Sequence, residues 1–307
     1  MADASKKPLL LCGAGRVVER YYAEALLQSS DFGVEGVVDR SAERRAWAQE
    51  RFGARAYATV EEALAEGNFE AGMVVTPPQT QFAITRALLE KGIPVLTEKP
   101  GARNESEANE LLSVASGTPL RLGLARHYWR RYSSSYEGYL PAWSIEIETD
   151  PQAWGHLDVS QSEGLDGLID DLLPHAYDIA RHVLGQDVEQ PAEAFWDGET
   201  LRIGFREGAD ADQSSVGGIS LSHGQRYLER VICELPGDAR PIVVTSETSL
   251  MQRISARLAK RQDEQIEAIG LLLRSFVQDI DAGRTNDDLT RCTRLIAAVK
   301  ELIAARE

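Results

Sequence analysis

Pro8-Leu9-Leu10-Leu11-Cys12-Gly13-Ala14-Gly15 is an apolar run that passes into glycine with no polar spacer. A short, unalternating run of this kind reads as a strand buried on both faces, as strands of a parallel sheet are. Gly13 permits a tight turn directly after it. Gly15 lets the backbone come close to a pyrophosphate at the N-terminus of the next helix, and Arg16 follows at the same place. The third glycine usual in such loops is Val18 here, which weakens the expected closeness of helix and strand. A Gly-x-Gly turn after a strand is common, so the neighbouring segments decide.

Residues 35–38 read as a second strand that ends in Asp39, 26 residues beyond Gly13. An acid at that point accepts hydrogen bonds from both adenosine ribose hydroxyls and repels a 2′-phosphate, which favours NAD over NADP. Arg40, next to it, can hold such a phosphate. Asp39 could also serve only as a helix cap, but Ser41 suits that role better for the helix running to Phe52. Thr59-Val60-Glu61-Glu62 has the capping-box pattern. Residues 71–75 form another buried strand, closed by Thr76-Pro77-Pro78, and residues 79–91 an amphipathic helix stopped by Gly92. Residues 93–96 are again strand-like, Asn104 caps a helix to residue 115, and residues 120–124 form a last strand. Strands and helices alternating at this spacing predict a doubly wound parallel sheet, a Rossmann domain over residues 1–124.

The strand at 93–96 runs into Thr97-Glu98-Lys99-Pro100. The chain has 6 lysines and 27 arginines, so Lys99 is not an ordinary draw from its composition. Ligands of open α/β sheets sit outside the carboxyl ends of the strands, where this amine falls. Desolvation and a neighbouring cationic nicotinamide would both lower its pKa toward the range used in proton transfer. A solvated strand end is the plainer reading of the same residues.

Gly13-x-Gly15, Asp39 after the second strand, Thr76-Pro77-Pro78 and Glu98-Lys99-Pro100 occur in the order found in the Gfo/Idh/MocA oxidoreductases, which this half of the chain resembles. The resemblance implies NAD or NADP across the first domain, held by Gly13, Gly15, Arg16, Asp39, Arg40, Thr76, Pro77, Glu98 and Lys99, with the lysine beside the nicotinamide. It also implies a cis bond before Pro100. Two departures stand out: Val18 replaces the small third residue of the loop, and Gln81 stands where many members carry histidine.

Beyond Leu124 the pattern changes. Arg126-His127-Tyr128-Trp129-Arg130-Arg131-Tyr132 is basic and aromatic. It is similar to the family's arginine-bearing segment at the entrance to the substrate domain, with Arg126 or Arg131 as the counterpart and Arg126 and Tyr128 as candidate substrate contacts. Residues 143–149, 200–205, 217–222, 230–235 and 242–245 read as strands with no helices between most of them, and Asp197-Gly198 as a hairpin turn. A mostly antiparallel sheet in an α+β domain over residues 125–307 is expected. Residues 209–215 are polar enough for a loop. Within this half, Asp170-Asp171-Leu172-Leu173-Pro174-His175-Ala176-Tyr177-Asp178 leads into an apolar-spaced helix stopped by Gly185. Pro174 fits the first turn of a helix that starts near Asp171. Asp171 and His175 are four apart and can share a face, where a carboxylate orients an imidazole as acid or base. They match the family's second motif except that Leu173 replaces a glycine. Residues 255–280 and 287–305 are amphipathic helices, which the resemblance implies pack back beside the first domain.

The balance of 33 basic to 48 acidic residues leaves −15, which argues against nucleic acid or anionic membrane as partners. No apolar run approaches a membrane span, and the start of the chain lacks a signal-like core. Cys12, Cys233 and Cys292 have no metal or disulfide spacing, and no metal site is expected; a cytoplasmic protein with reduced thiols follows. These residues together imply an NAD(P)-dependent dehydrogenase or reductase, NAD favoured, acting on a sugar, polyol or keto derivative. Lys99, Asp171 and His175 are the expected catalytic group, the last two also meeting the substrate, and the resemblance implies a homodimer or homotetramer. The alternatives are an imine or ketone reductase of a specialised biosynthetic pathway and a nicotinamide-sensing binder without turnover.

Overall fold

The computed structural model describes residues 6–132, 140–150, 164–207, 215–224, 226–237, 239–248 and 261–306. His156, most of the loop expected over 209–215 and the first residues of the helix expected from 255 lie outside them. The chain divides into two compact units, Met1–Tyr128 with Gln262–Thr293, and Trp129–Arg261 with Arg294–Glu307.

The first unit holds a six-stranded parallel sheet. Its strands are β1 (Lys7–Cys12), β2 (Phe32–Val38), β3 (Arg55–Tyr57), β4 (Ala71–Val74), β5 (Val95–Glu98) and β6 (Leu120–Gly123), in the spatial order β3-β2-β1-β4-β5-β6. Residues 9–12 are wholly buried, as a strand covered on both faces must be. Between the strands run α1 (Ala23–Gln28), α2 (Ala42–Phe52), α3 (Val60–Glu66), α4 (Pro78–Leu89) and α5 (Glu105–Ala115). The expected caps form: Ser41 accepts from the Arg44 amide, Thr59 and Glu62 close a capping box, and Asn104 accepts from the Glu107 amide. β2 begins three residues earlier than the apolar pattern shows, because Phe32 packs against Phe276 with ring centroids 5.9 Å apart. β3 is only three residues long, too short to leave a pattern.

The second unit has six strands: β7 (Ala142–Thr149), β8 (Glu193–Trp196), β9 (Thr200–Glu207), β10 (Ser215–His223), β11 (Tyr227–Glu234) and β12 (Ile242–Thr248). Their order is β12-β11-β7-β10-β9-β8, antiparallel except for the β7–β10 pair. Trp143, Ile145 and Ile147 of β7 alternate into the core, and the Trp143 and Phe205 rings stack at 5.5 Å. Helices α6 (Gly164–Asp171) and α7 (Leu173–Asp178) pack on β10 and β7. The last two helices are α8 (Arg261–Ala282) and α9 (Asp288–Ala304).

Candidate active site

The strand order of the first sheet reverses between β1 and β4, and ligands of such sheets bind at that switch point. The loop after β1 is built for close approach. Gly13 has φ +97°, its N–H donates to the Val38 carbonyl at 2.7 Å, and a Cβ there would lie 2.5 Å from the Val75 carbonyl oxygen. Only glycine fits. At Gly15 the same construction meets no atom within 4 Å, so the tip of the loop opens onto free space. Where a third glycine would let an α-helix close on the strand, the chain takes a π turn, Val18–Tyr22, with Val18 fully buried, before α1 begins. The branched side chain is housed by a wider turn.

Asp39 does more than its position suggested. Its Oδ2 accepts from the Ala14 amide and its Oδ1 from the Ser41 amide, both at 2.8 Å, so the carboxylate ties the glycine loop to the end of β2. Each oxygen keeps a lone pair for a ribose hydroxyl. Arg40 is exposed. Arg45, which no sequence pattern singles out, closes the turn by donating to the carbonyls of Asp39 at 2.7 Å and Arg40 at 2.9 Å.

After β4, the Thr76 methyl group faces Gly13, and its Oγ1 is buried with no hydrogen-bond partner among the described residues. A buried hydroxyl without a partner is costly unless a ligand satisfies it. That orphan, the open Gly15 tip and the Asp39 carboxylate fit a dinucleotide with its pyrophosphate at the loop and its ribose at β2.

Lys99 stands half-buried at the end of β5, and the Lys99–Pro100 bond is cis, as the resemblance implied. Its N–H donates to Glu98 Oε2 at 3.0 Å, while Glu98 Oε1 accepts from the Tyr22 hydroxyl. Tyr22 is buried, and its phenol is pushed well above the usual range, first by burial and then by the Glu98 charge and hydrogen bond. Gln81 lies beneath the loop. Its Nε2 donates to the carbonyls of Thr76 at 2.9 Å and Lys99 at 3.3 Å, and its Oε1 accepts from the Gly101 amide at 2.9 Å. Tyr22 was missed outright; Gln81 was visible only as a departure from the family.

In the second unit, Asp171 and His175 are both half-buried, but the single helix expected to start near Asp171 is not what forms. Helical structure begins at Gly164; Asp171 ends α6, and His175 lies in the first turn of α7. Pro174 causes the break, since it has no N–H for the Asp170 carbonyl. The two residues sit on consecutive helices joined through Leu172, whose backbone stays helical and whose carbonyl accepts from the Ala176 amide at 3.1 Å. Arg126 is buried in the first unit, where it and Arg20 oppose the upward push of burial on the Tyr21 phenol. The Tyr128 ring lies 3.9 Å from that of His127. Arg131 belongs to the second unit, over the Trp129 ring at 4.3 Å and 3.8 Å from the buried Glu229, which also accepts from the hydroxyls of Tyr132 and Tyr227. Arg131 and Tyr132 thus belong to a cluster around the buried Glu229.

Among the described residues no group of His, Cys, Asp and Glu is arranged to hold a metal ion, and no helix is long and apolar enough to cross a membrane. All three cysteines are buried and free of disulfides, the Cys12 thiol pushed up to about 12 and that of Cys233 to about 11 by burial.

A parallel sheet with a glycine-cradled switch point, an acid at the end of β2 and a lysine at the end of β5 has the build of a dinucleotide-binding domain. Residues 8–125 match the model of the oxidoreductase family with an NAD-binding Rossmann fold, Gfo/Idh/MocA, and this part of the chain is similar to that family. It is 32% identical over 105 residues to a UDP-N-acetylglucosamine 3-dehydrogenase of Acidithiobacillus ferrooxidans, covering 34% of this chain and 32% of that one. Over 179 residues it is 26% identical to an inositol 2-dehydrogenase of Leifsonia xyli subsp. xyli, covering 57% and 53%. The matched part thus spans about a third and about half of these relatives. The whole fold is similar to the crystal structure of myo-inositol 2-dehydrogenase from Lactobacillus plantarum, with a TM-score of 0.77, 14% identity and coverage of 99% and 98%.

Proposed function

We propose that this protein is an NAD-dependent dehydrogenase of a sugar or polyol, interconverting a secondary alcohol and its ketone. The observation that carries the reading is the placement of Lys99 at the end of β5, in the same sheet whose β1–β4 switch point holds the open Gly15 loop. Gly13, Gly15 and Arg16 would receive the pyrophosphate, Asp39 the adenosine ribose, and Thr76, Pro77 and Glu98 the nicotinamide half. Bound NAD supplies the hydride acceptor. The chain's own part is proton handling and orientation. His175 is the proposed general base for the substrate hydroxyl, with Asp171 setting its orientation, and Lys99 the proposed hydrogen-bond donor of the first unit. Arg126 and Tyr128 are the proposed further contacts to the substrate. The relatives supply the substrate class: one is named for inositol, the other for a nucleotide sugar. A homo-oligomer in the cytoplasm is the proposed working form.

The test is a spectrophotometric screen of NAD and NADP against myo-inositol, scyllo-inositol, simple aldoses and UDP-N-acetylglucosamine. Turnover is expected with at least one of them and NAD, and Lys99→Met should slow it about 100-fold or more while NADH affinity moves only a few fold. Because Asp39 repels a 2′-phosphate, NADPH should bind more weakly than NADH. NADH binding without consumption against every carbonyl tried would turn the reading to a sensor, and unchanged turnover in Lys99→Met would remove the lysine from the chemistry.

A further inference from the structure

We infer that Gln81 is the positioning residue of Lys99: one buried amide fixes the loop that carries the lysine and joins it to the turn after β4. The inference rests on the reading of Lys99 as the reacting amine.

Gln81 is 2% exposed, in the first turn of α4. A glutamine amide offers two N–H donors and an acceptor oxygen. Here both kinds are used on backbone: Thr76 O and Lys99 O receive from Nε2, and Gly101 N–H gives to Oε1. None of the three is part of a helix or strand ladder, so Gln81 supplies pairing that secondary structure does not. An apolar side chain of the same length would fill the volume and leave one buried and two part-buried backbone groups wanting partners. Both peptide groups that flank the Lys99 Cα are then held by buried or half-buried side chains, the N–H by Glu98 and the carbonyl by Gln81. That fixes the direction of the Cα–Cβ bond and leaves the lysine only its own χ rotations. The other arm of the amide ends on Thr76, whose methyl group faces Gly13 of the cofactor loop. Gln81 thus sets lysine and cofactor loop in one frame, where a displacement of about 1 Å can cost roughly 100-fold in rate.

The experiment compares wild type with Gln81→Met, which keeps length and loses all three bonds, and with Gln81→Asn, which keeps the amide but falls one methylene short. Three readouts are taken on the full chain. Amide exchange of the segment around Gly101 should quicken about tenfold in both variants, the scale of one hydrogen bond, while β1 and β4 stay protected. Competitive acetylation with acetic anhydride should raise labelling of Lys99 severalfold relative to the exposed Lys91, which serves as internal reference. Turnover of NAD with myo-inositol as probe should fall about tenfold or more with NADH affinity within a few fold, and Gln81→Met should cost nothing further in a Lys99→Met background, because residues acting as a unit are non-additive.

Unchanged exchange and labelling would overturn the inference, as would turnover losses that multiply with those of Lys99→Met. Should Gln81→Met not fold, Gln81→Asn decides the same points. Faster exchange and labelling with a Lys99→Met enzyme of full activity would show that the clamp exists but holds no reacting lysine, which fails the proposed function rather than the geometry. Wild type that leaves myo-inositol untouched would bear on the substrate alone, with exchange and labelling still deciding Gln81.

Discussion

Tyr22 shows what a single residue adds to this site and why it could not be read in advance. It lies 76 positions from Glu98, and nothing in a Val-Glu-Arg-Tyr-Tyr sequence says that its hydroxyl will end on that carboxylate. Gly13, Asp39 and Lys99 could be read, because each meets a demand that is local to a strand end. Tyr22 and Gln81 answer demands that arise only when strands distant in sequence become neighbours. Removing the hydroxyl leaves the half-buried Glu98 one donor short, so Tyr22→Phe should cost about 1.5–3 kcal/mol at neutral pH, the range for bonds to charged groups. The pH dependence has a definite sign. The folded phenol titrates well above 10.0, so its neutral-state contribution is complete below the unfolded value and is lost as the pH rises from there toward the folded one. Denaturant melts at pH 7 and above pH 10 should show the wild type losing this component and Tyr22→Phe lacking it. A variant as stable as wild type at neutral pH would mean that Glu98 is satisfied without the phenol.

At the scale of elements, turns and caps were legible and interruptions were not. The Thr59 capping box and the Asp197-Gly198 turn announce themselves in four residues, and Gly198 takes the expected positive φ of 97°. Pro174 was equally visible, but its consequence depended on whether helix preceded it; residues 164–171 do form one, so the proline became a break inside a run instead of a start. β8 was missed for another reason: as an edge strand with Phe195 48% exposed, it has no clean alternation. Its hairpin with β9 is held by Asp197, whose Oδ1 accepts from the amides of Glu199 at 3.0 Å and Thr200 at 2.8 Å while Oδ2 accepts from Arg202 at 2.6 Å. These bonds, that from Thr200 first, hold its carboxyl at about 2, below the ordinary carboxylate range. A folded value below the unfolded one means the contribution is full above about pH 4 and fades as the pH falls through about 2. Carbon NMR of the Asp197 carboxyl should give a midpoint near 2, and exchange at Thr200 should quicken over the same interval. A midpoint near 4 would show that the turn does not use the charge.

The whole molecule was legible as two folds in succession, a parallel sheet and then a mostly antiparallel one, because strand spacing changes character after Leu124. What composition and periodicity could not show is that the first unit is not one continuous piece of chain. Residues 262–293 belong to it, and the bonds that make them belong are single contacts between distant residues: Phe32 on Phe276, Lys7 to Asp281 at 3.3 Å, and Arg121 to Asp279, both largely buried. Amphipathic spacing says that α8 buries a face, not which sheet receives it. A chain ended after Tyr128 would keep all six strands of the parallel sheet and every residue of the proposed cofactor cradle, yet it should not fold stably. Losing the aromatic partner of Phe32 has the character of a large core truncation, about 3–5 kcal/mol. Arg121 loses its carboxylate as well, and the sheet surface that Phe276 covers meets water. Together these approach the whole of an ordinary domain's stability, about 5–15 kcal/mol. Circular dichroism and NADH binding on the fragment should therefore show no cooperative melt and no binding, and supplying residues 262–293 through a linker after residue 128 should restore both. A fragment that melts cooperatively and binds NADH unaided would show that α8 merely covers the sheet.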